Sequence, residues 1–274
     1  MKLESSKLRR VLCALDVDRS GSTALAMASL LGERFQASVD ALYAPPAEEH
    51  SAQERLSALV ASATRKVSVS SYVTPGPASA VILTHSERHT SDLIVMASSP
   101  QRRFALSAGT IAPVSQHATC GVLTVGDRFQ LAPFRRILLP VGPAGVEPRA
   151  CSWVMTLASR FDAEVGLVRI EQPRAECGQL LAALCRAGID AYEIDHPGGG
   201  DADALAQLCE TGAFDAIVLG LPSAAEAVAD GDDLVAAVRK KTSAPVLSIR
   251  ALCSPALFAT SRCELPLRAA MGAA

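Results

Sequence analysis

The sequence shows no excess of one charge: 26 Lys and Arg stand against 28 Asp and Glu, a formal net charge of −2 with an isoelectric point near 6.2. That balance removes the electrostatic footprint of a dedicated nucleic-acid binder. Long apolar runs are missing too. No stretch approaches the roughly 18 residues that span a bilayer. The charged residues 1–10 lead into a short apolar run that Asp16 ends at once, which is not the pattern of a secretory leader. These absences predict a cytoplasmic chain that engages neither nucleic acid nor membrane.

Paired cysteines are also absent. The eight cysteines contain no CxxC spacing, which argues against a disulfide framework or a metal ribbon and for buried or idle thiols. Catalytic signatures are lacking as well: there is no GxSxG elbow, no Walker A loop and no SGGxDS pyrophosphatase loop. His85, His89, His117 and His196 follow no HExxH or other metal spacing and read as solvated or satisfied side chains.

What the chain does have is a core-forming composition, 49% hydrophobic and 20% charged over 274 residues, enough for about two domains. It also has internal repetition. Residues 11–16 (VLCALD) match 137–142 (ILLPVG), 92–97 (DLIVMA) match 215–220 (DAIVLG), and 121–125 (GVLTV) match 245–249 (PVLSI). The offset is 126 between Asp16 and Gly142, 123 between Asp92 and Asp215, and 124 between Val122 and Val246. Three matches at nearly one spacing indicate a duplicated unit.

Within each copy, short continuous apolar runs alternate with segments of helical period, the pattern of a parallel sheet covered by helices on both faces. After the first run, Ser20–Thr23 offers N-cap candidates, and Leu25, Ala28, Leu31 and Phe35 recur at helical spacing. In the second copy Pro148 suits a first helical position, followed by Trp153, Leu157 and Phe161. Third strands are expected at 66–73 and 189–194, third helices near 78–87 and 201–210, and last helices after the fourth runs, the first of them at 111–117. Each copy thus reads β-α-β-α-β-α-β-α-β, an open doubly wound sheet by the right-handed crossover rule. Such sheets bind ligands beyond the carboxyl ends of the strands, where strand order reverses.

Two features stand at that edge in the first copy. Asp16 ends the first strand, where an ionised carboxylate can accept hydrogen bonds from an adenine amino group or a ribose hydroxyl, or simply cap the turn to Gly21. Gly109-Thr110 opens the last helix, where backbone N–H groups and a hydroxyl can meet a phosphate. Arg102 and Arg103 in the preceding loop can add charge, or the loop can be a solvated basic segment. Gly198–Gly200 and residues 75–77 read as turns rather than phosphate loops, with Asp201 as a helix cap.

On these runs the chain resembles the universal stress protein family in its tandem form, over about residues 8–126 and 134–250. The family pattern has an ILVAxD-like first strand, a DLIVMGS-like fourth, a loop G-x2-G-x9-G-(S/T), and a CPVLVV-like fifth strand. The resemblance implies universal stress protein domains at 1–127 and 128–250, each with a Rossmann-like, doubly wound, five-stranded parallel sheet. The fifth strands, 122–125 and 246–249, then meet across an intrachain pseudodimer, and 251–274 is a C-terminal extension. It also implies a non-catalytic stress-response regulator or adaptor acting on a protein partner not named by the sequence, with further association of pseudodimers a second expectation.

The family loop is eroded. In copy one the first glycine is Ala97 and the second is Pro100, with eight residues instead of nine before Gly109-Thr110. The implied nucleotide residues are Asp16, Ala97, Arg102, Gly109 and Thr110, for weak ATP or AMP binding with no cofactor required. In copy two Gly142 replaces the strand-one Asp, Ser223 replaces the second glycine, and Asp232-Asp233 falls where Gly-(S/T) belongs, so ATP binding is expected to be lost there. The alternative is an ATP-binding sensor with slow ATPase activity. It would need Mg²⁺ and a positioned water, with only Asp16 and Thr110 on the metal side.

Overall fold

The computed structural model describes residues 7–16, 19–45, 47, 49–63, 66–98, 108–126, 129–142, 146–169, 175–194, 201–222 and 230–251. The N-terminal half runs β1 (Arg10–Leu15), α1 (Arg19–Phe35), β2 (Ser38–Tyr43), α2 (Ala52–Ala63), β3 (Val69–Val73), α3 (Ala78–Arg88), β4 (Leu93–Ser98), α4 (Ala108–His117) and β5 (Gly121–Gly126). The C-terminal half repeats the order: β6 (Arg136–Val141), α5 (Pro148–Phe161), β7 (Glu164–Arg169), α6 (Ala175–Arg186), β8 (Ala191–Ile194), α7 (Ala202–Glu210), β9 (Ala216–Leu221), α8 (Asp230–Lys241) and β10 (Val246–Arg250). No helix among the described residues is long and apolar enough to cross a membrane.

The strands form a single sheet ordered β3-β2-β1-β4-β5-β10-β9-β6-β7-β8. Pairing is parallel inside each half and antiparallel between β5 and β10, where the two halves join. Side chains alternate between two buried faces, as a helix-covered parallel sheet requires. In β1, Val11, Cys13 and Leu15 face one core while Leu12 and Ala14 face another. The first of these cores is continuous across both halves under α1, α2, α5 and α6. The opposite face carries two separate clusters, one under α3 and α4 and one under α7 and α8.

The seam between the halves is built from matched pairs. Leu123 lies opposite Leu247, and Thr124 and Ser248 flank that pair. The Thr124 hydroxyl donates to the Val246 carbonyl at 3.2 Å, and the Ser248 hydroxyl donates to the Val122 carbonyl at 3.2 Å. On the helix layer Phe35 and Phe161, the last residues of α1 and α5, meet edge to face at 6.1 Å. Arg34 lies over the Phe161 ring and Arg160 over the Phe35 ring, each at 5.6 Å. These reciprocal contacts place a pseudo-two-fold axis between the halves.

The repeated Asp of the fourth runs has a structural task. Asp92 accepts from the backbone N–H groups of Arg9 and Arg10 at 2.7 and 2.9 Å, and Asp215 accepts from those of Arg135 and Arg136 at 2.8 and 2.9 Å. Each carboxylate ties the start of its fourth strand to the start of the neighbouring first strand. Asp201 caps α7, accepting from the Ala204 N–H at 2.7 Å, as its position predicted.

Several boundaries differ from the periodicity. β3 and β8 start later than expected, at Val69 and Ala191. α1 begins at Arg19, so Ser20–Thr23 lies inside the helix rather than before it. Gly21 makes that early start feasible, because a Cβ there would sit 1.9 Å from the Asp16 carbonyl oxygen. α4 begins at Ala108, three residues before the expected start, which places Gly109 and Thr110 in its first turn and Pro113 inside it.

Candidate functional site

In each half the strand order reverses between the first and fourth strands, where doubly wound sheets open a crevice. In the N-terminal half the β1–β4 register pairs Ala14 with Met96. Continuing that register sets Asp16 beside Ser98 at the carboxyl edge, with Ala97 just inside it. Ala97 is buried and pairs with Val125, and Asp16 is half-buried. Gly109 and Thr110 stand in the first turn of the helix reached from the loop that leaves β4. The structure therefore brings Asp16 and Ala97 to one edge of the sheet and puts Gly109-Thr110 at a helix N-terminus. Arg102, with Arg103 and Pro100, lies outside the described residues.

A polar trio at the same edge was not singled out in the sequence. Tyr43, the last residue of β2, donates to Glu49 at 3.0 Å, and Glu49 pairs with Arg55 of α2. Burial and the Glu49 bond push the Tyr43 hydroxyl pKa up, and the negative charge of Asp16 adds to that push. Bonds from Arg55 and then Tyr43 hold Glu49 below the usual carboxylate range. The available signal was positional: Tyr43 ends the strand next to the one that Asp16 follows.

The C-terminal crevice is arranged differently. Glu147 caps α5 by accepting from the Ala150 N–H at 2.8 Å. A Cβ at Gly220 would lie 2.8 Å from the Glu147 Cβ and 3.3 Å from the Ala150 Cβ. Here the glycine gives a helix turn room to approach. Burial raises the Glu147 pKa despite the helix N–H bond that works the other way. Asp232 and Asp233 occupy the first turn of α8; Ser223 lies outside the described residues. Arg149 spans the seam nearby, donating to the carbonyls of Arg250 and Thr119 at 2.7 Å each.

Buried thiols are unreactive by their surroundings. Burial alone raises Cys13, burial with the neighbouring Glu147 charge takes Cys151 to about 11, and burial with two nearby carboxylates takes Cys209 to about 12. Cys185 is exposed, and Cys253 and Cys263 lie outside the described residues.

One histidine nitrogen, His85 Nε2, departs from the expectation of a satisfied side chain. His85, near the end of α3, and His89, its C-cap, stack with ring centroids 4.1 Å apart and planes 7° apart. His85 Nε2 lies 3.5 Å and His89 Nδ1 3.8 Å from Oδ2 of Asp40 on β2. Asp40 Oδ2 and His85 Nε2 are buried without a hydrogen-bond partner among the described residues. Arg10 Nη1 approaches His89 Nδ1 at 3.3 Å and Asp40 Oδ2 at 3.9 Å. The Tyr72 ring sets its edge against both imidazoles. Burial, then the neighbouring His89, lowers the His85 pKa against the pull of Asp40. Local spacing could not reveal this group, because its carboxylate comes from a strand far away in sequence.

No protein-family model and no curated protein matches the sequence. Solved structures do match in three dimensions. A universal stress protein from Archaeoglobus fulgidus DSM 4304 superposes with a TM-score of 0.65 at 13% identity, over 91% of this chain and 98% of its own. A protein of Pseudomonas aeruginosa UCBPP-PA14, provisionally named a universal stress protein, gives 0.62 at 18% identity over 89% and 93%. The cytoplasmic domain of a prokaryotic cation chloride cotransporter gives 0.52 at 12% over 89% and 95%. The fold is thus that of the tandem universal stress protein structures, and it is also used within a transporter.

Proposed function

We propose that the chain is a non-catalytic, cytoplasmic regulator or adaptor of a stress response, acting on a protein partner through its paired halves. Any ATP or AMP binding is weak and confined to the N-terminal half. The observation that carries this reading is the seating of Glu147 against Gly220. A half-buried carboxylate there repels a polyphosphate, and the helix turn takes the space a bound nucleotide would need. In the N-terminal half Asp16 can accept from a ribose or adenine group, and Gly109-Thr110 can present N–H groups and a hydroxyl to phosphate. The Ala97 methyl fills the close-approach position, so a phosphate stands off and binding is weak.

The test is titration of the full chain with ATP, ADP and AMP by calorimetry, together with chromatography of nucleotide released from the purified protein. At most one nucleotide per chain is expected, bound weakly and lost in Asp16→Ala; a complete absence of binding fits the adaptor equally. Two nucleotides per chain, or time-dependent phosphate release abolished by Asp16→Ala, overturns the reading.

A further inference from the structure

The Asp40, His85 and His89 group lies on the side of β1 and β2 away from the crevice: Arg10 opens β1, Asp40 is the third residue of β2, and both histidines belong to the end of α3 and its cap. Its setting is hard to explain as packing. Asp40 is 3% exposed and His85 8%; Asp40 Oδ2 is held only by ion-pair contacts of 3.5, 3.8 and 3.9 Å to His85, His89 and Arg10, too long to offset fully the several kcal/mol that burying a carboxylate costs. The chain contains its own control. By the strand registers, Asp40 corresponds to Gly166 and Tyr72 to Ile194 in the C-terminal half. There the same volume is apolar: a Cβ on Gly166 would meet Phe214 at 2.5 Å and Ile194 at 2.6 Å. The fold fills this place with hydrocarbon in one half and with three ligand-type side chains in the other.

We propose that Asp40, His85 and His89 form a binding site for a divalent transition-metal ion, Zn²⁺ by ligand type. Two imidazoles and a carboxylate are a zinc donor set that leaves a fourth position for water. One donor atom from each residue lies within 4.8 Å of the other two. A tetrahedral zinc site holds its donors about 3.3 Å apart, and the two Asp40–His separations, 3.5 and 3.8 Å, are close to that.

The ion would satisfy both orphaned buried atoms and neutralise the Asp40 charge. Arg10 already marks the point where positive charge is wanted. As a donor-only group it requires a lone pair on His89 Nδ1, so that nitrogen faces the site ready to ligate. Two movements complete the site: His89 tilts out of the ring stack, and Arg10 withdraws. Both have room, since their side chains are 32% and 40% exposed. His85 and Asp40 stay fixed in the core, which gives the site one rigid side and one open side for entry.

The experiment is a Zn²⁺ titration of the untagged full chain by calorimetry, with Co²⁺ as a spectroscopic probe, on a background of Cys185→Ser, Cys253→Ser and Cys263→Ser, which removes the one exposed thiol among the described residues and the two thiols outside them. The expected result is one ion per chain, tetrahedral Co²⁺ absorption and no thiolate charge-transfer band. His89→Gln, at the partly exposed position, should weaken binding at least tenfold with an unchanged melting temperature in chelator. Arg10→Gln should tighten it roughly fivefold by removing a like charge. Asp40→Asn should abolish it, and if that variant does not fold, His89→Gln decides alone. Absence of stoichiometric Zn²⁺ binding, or binding that His89→Gln leaves unchanged, overturns the proposal.

Discussion

The seam offers a quantitative test of how the halves are held. Thr124 and Ser248 are 3% and 4% exposed, and each hydroxyl makes one hydrogen bond, of 3.2 Å, to a carbonyl of the opposite strand. Thr124→Val replaces the hydroxyl with a methyl of similar volume, and Ser248→Ala removes it with little cavity, so each variant loses a hydrogen bond worth about 1 kcal/mol. The two bonds flank the central Leu123–Leu247 pair and share no partner. The double variant is therefore expected to lose about 2 kcal/mol, with a coupling below roughly 0.5 kcal/mol. Denaturant unfolding followed by far-ultraviolet circular dichroism measures this. A single transition is expected in every variant, because one apolar core runs beneath both halves. Variants indistinguishable from wild type, or a double variant showing separate transitions for the two halves, would refute the reasoning.

Two further outcomes follow from described contacts. Asp92→Ala and Asp215→Ala each strip a carboxylate from two backbone N–H groups. Matched losses of about 2–3 kcal/mol are expected in equilibrium unfolding, and a loss in only one half would show that the repeat does not share this tie. Glu147 has a folded pKa above its ordinary 4.5, so the native state holds its proton more tightly than the unfolded chain. The associated stability is complete below that ordinary value and is lost as pH rises through the folded one. Glu147→Gln, which keeps an amide oxygen for the Ala150 N–H, should therefore gain on wild type between about pH 4 and neutrality. Unfolding at the two pH values checks this, and a constant gap between the proteins contradicts it.

Much of the fold was legible because parallel sheets buried on both faces write continuous apolar runs, and duplication printed those runs twice. The Asp92 and Asp215 pair was visible as a repeat, although its task of tying two strand starts together required coordinates. Helix starts were less legible. The first turn of α1 depends on the Asp16 carbonyl passing over Gly21, a contact between residues that no periodicity links. The C-terminal edge was read as altered from Gly142 and Asp232-Asp233, whereas the contact at Gly220 among the described residues comes from Glu147, which sequence spacing presents only as a residue before Pro148. The Asp40 group was not visible for the same reason. The two histidines one helical turn apart lacked a named motif, and their third partner was supplied by strand pairing.

The reciprocal contacts along β5, β10 and the ends of α1 and α5 have a consequence for how this molecule can change over time. When two identical subunits meet, one gene supplies both faces, and every substitution appears twice. Covalent linkage removes that constraint, and because the partner is always on the same chain, its encounter does not depend on dilution. Each lobe is then free to specialise while its sibling keeps the sheet together, as the apolar Gly166 pocket and the polar Asp40 pocket already illustrate.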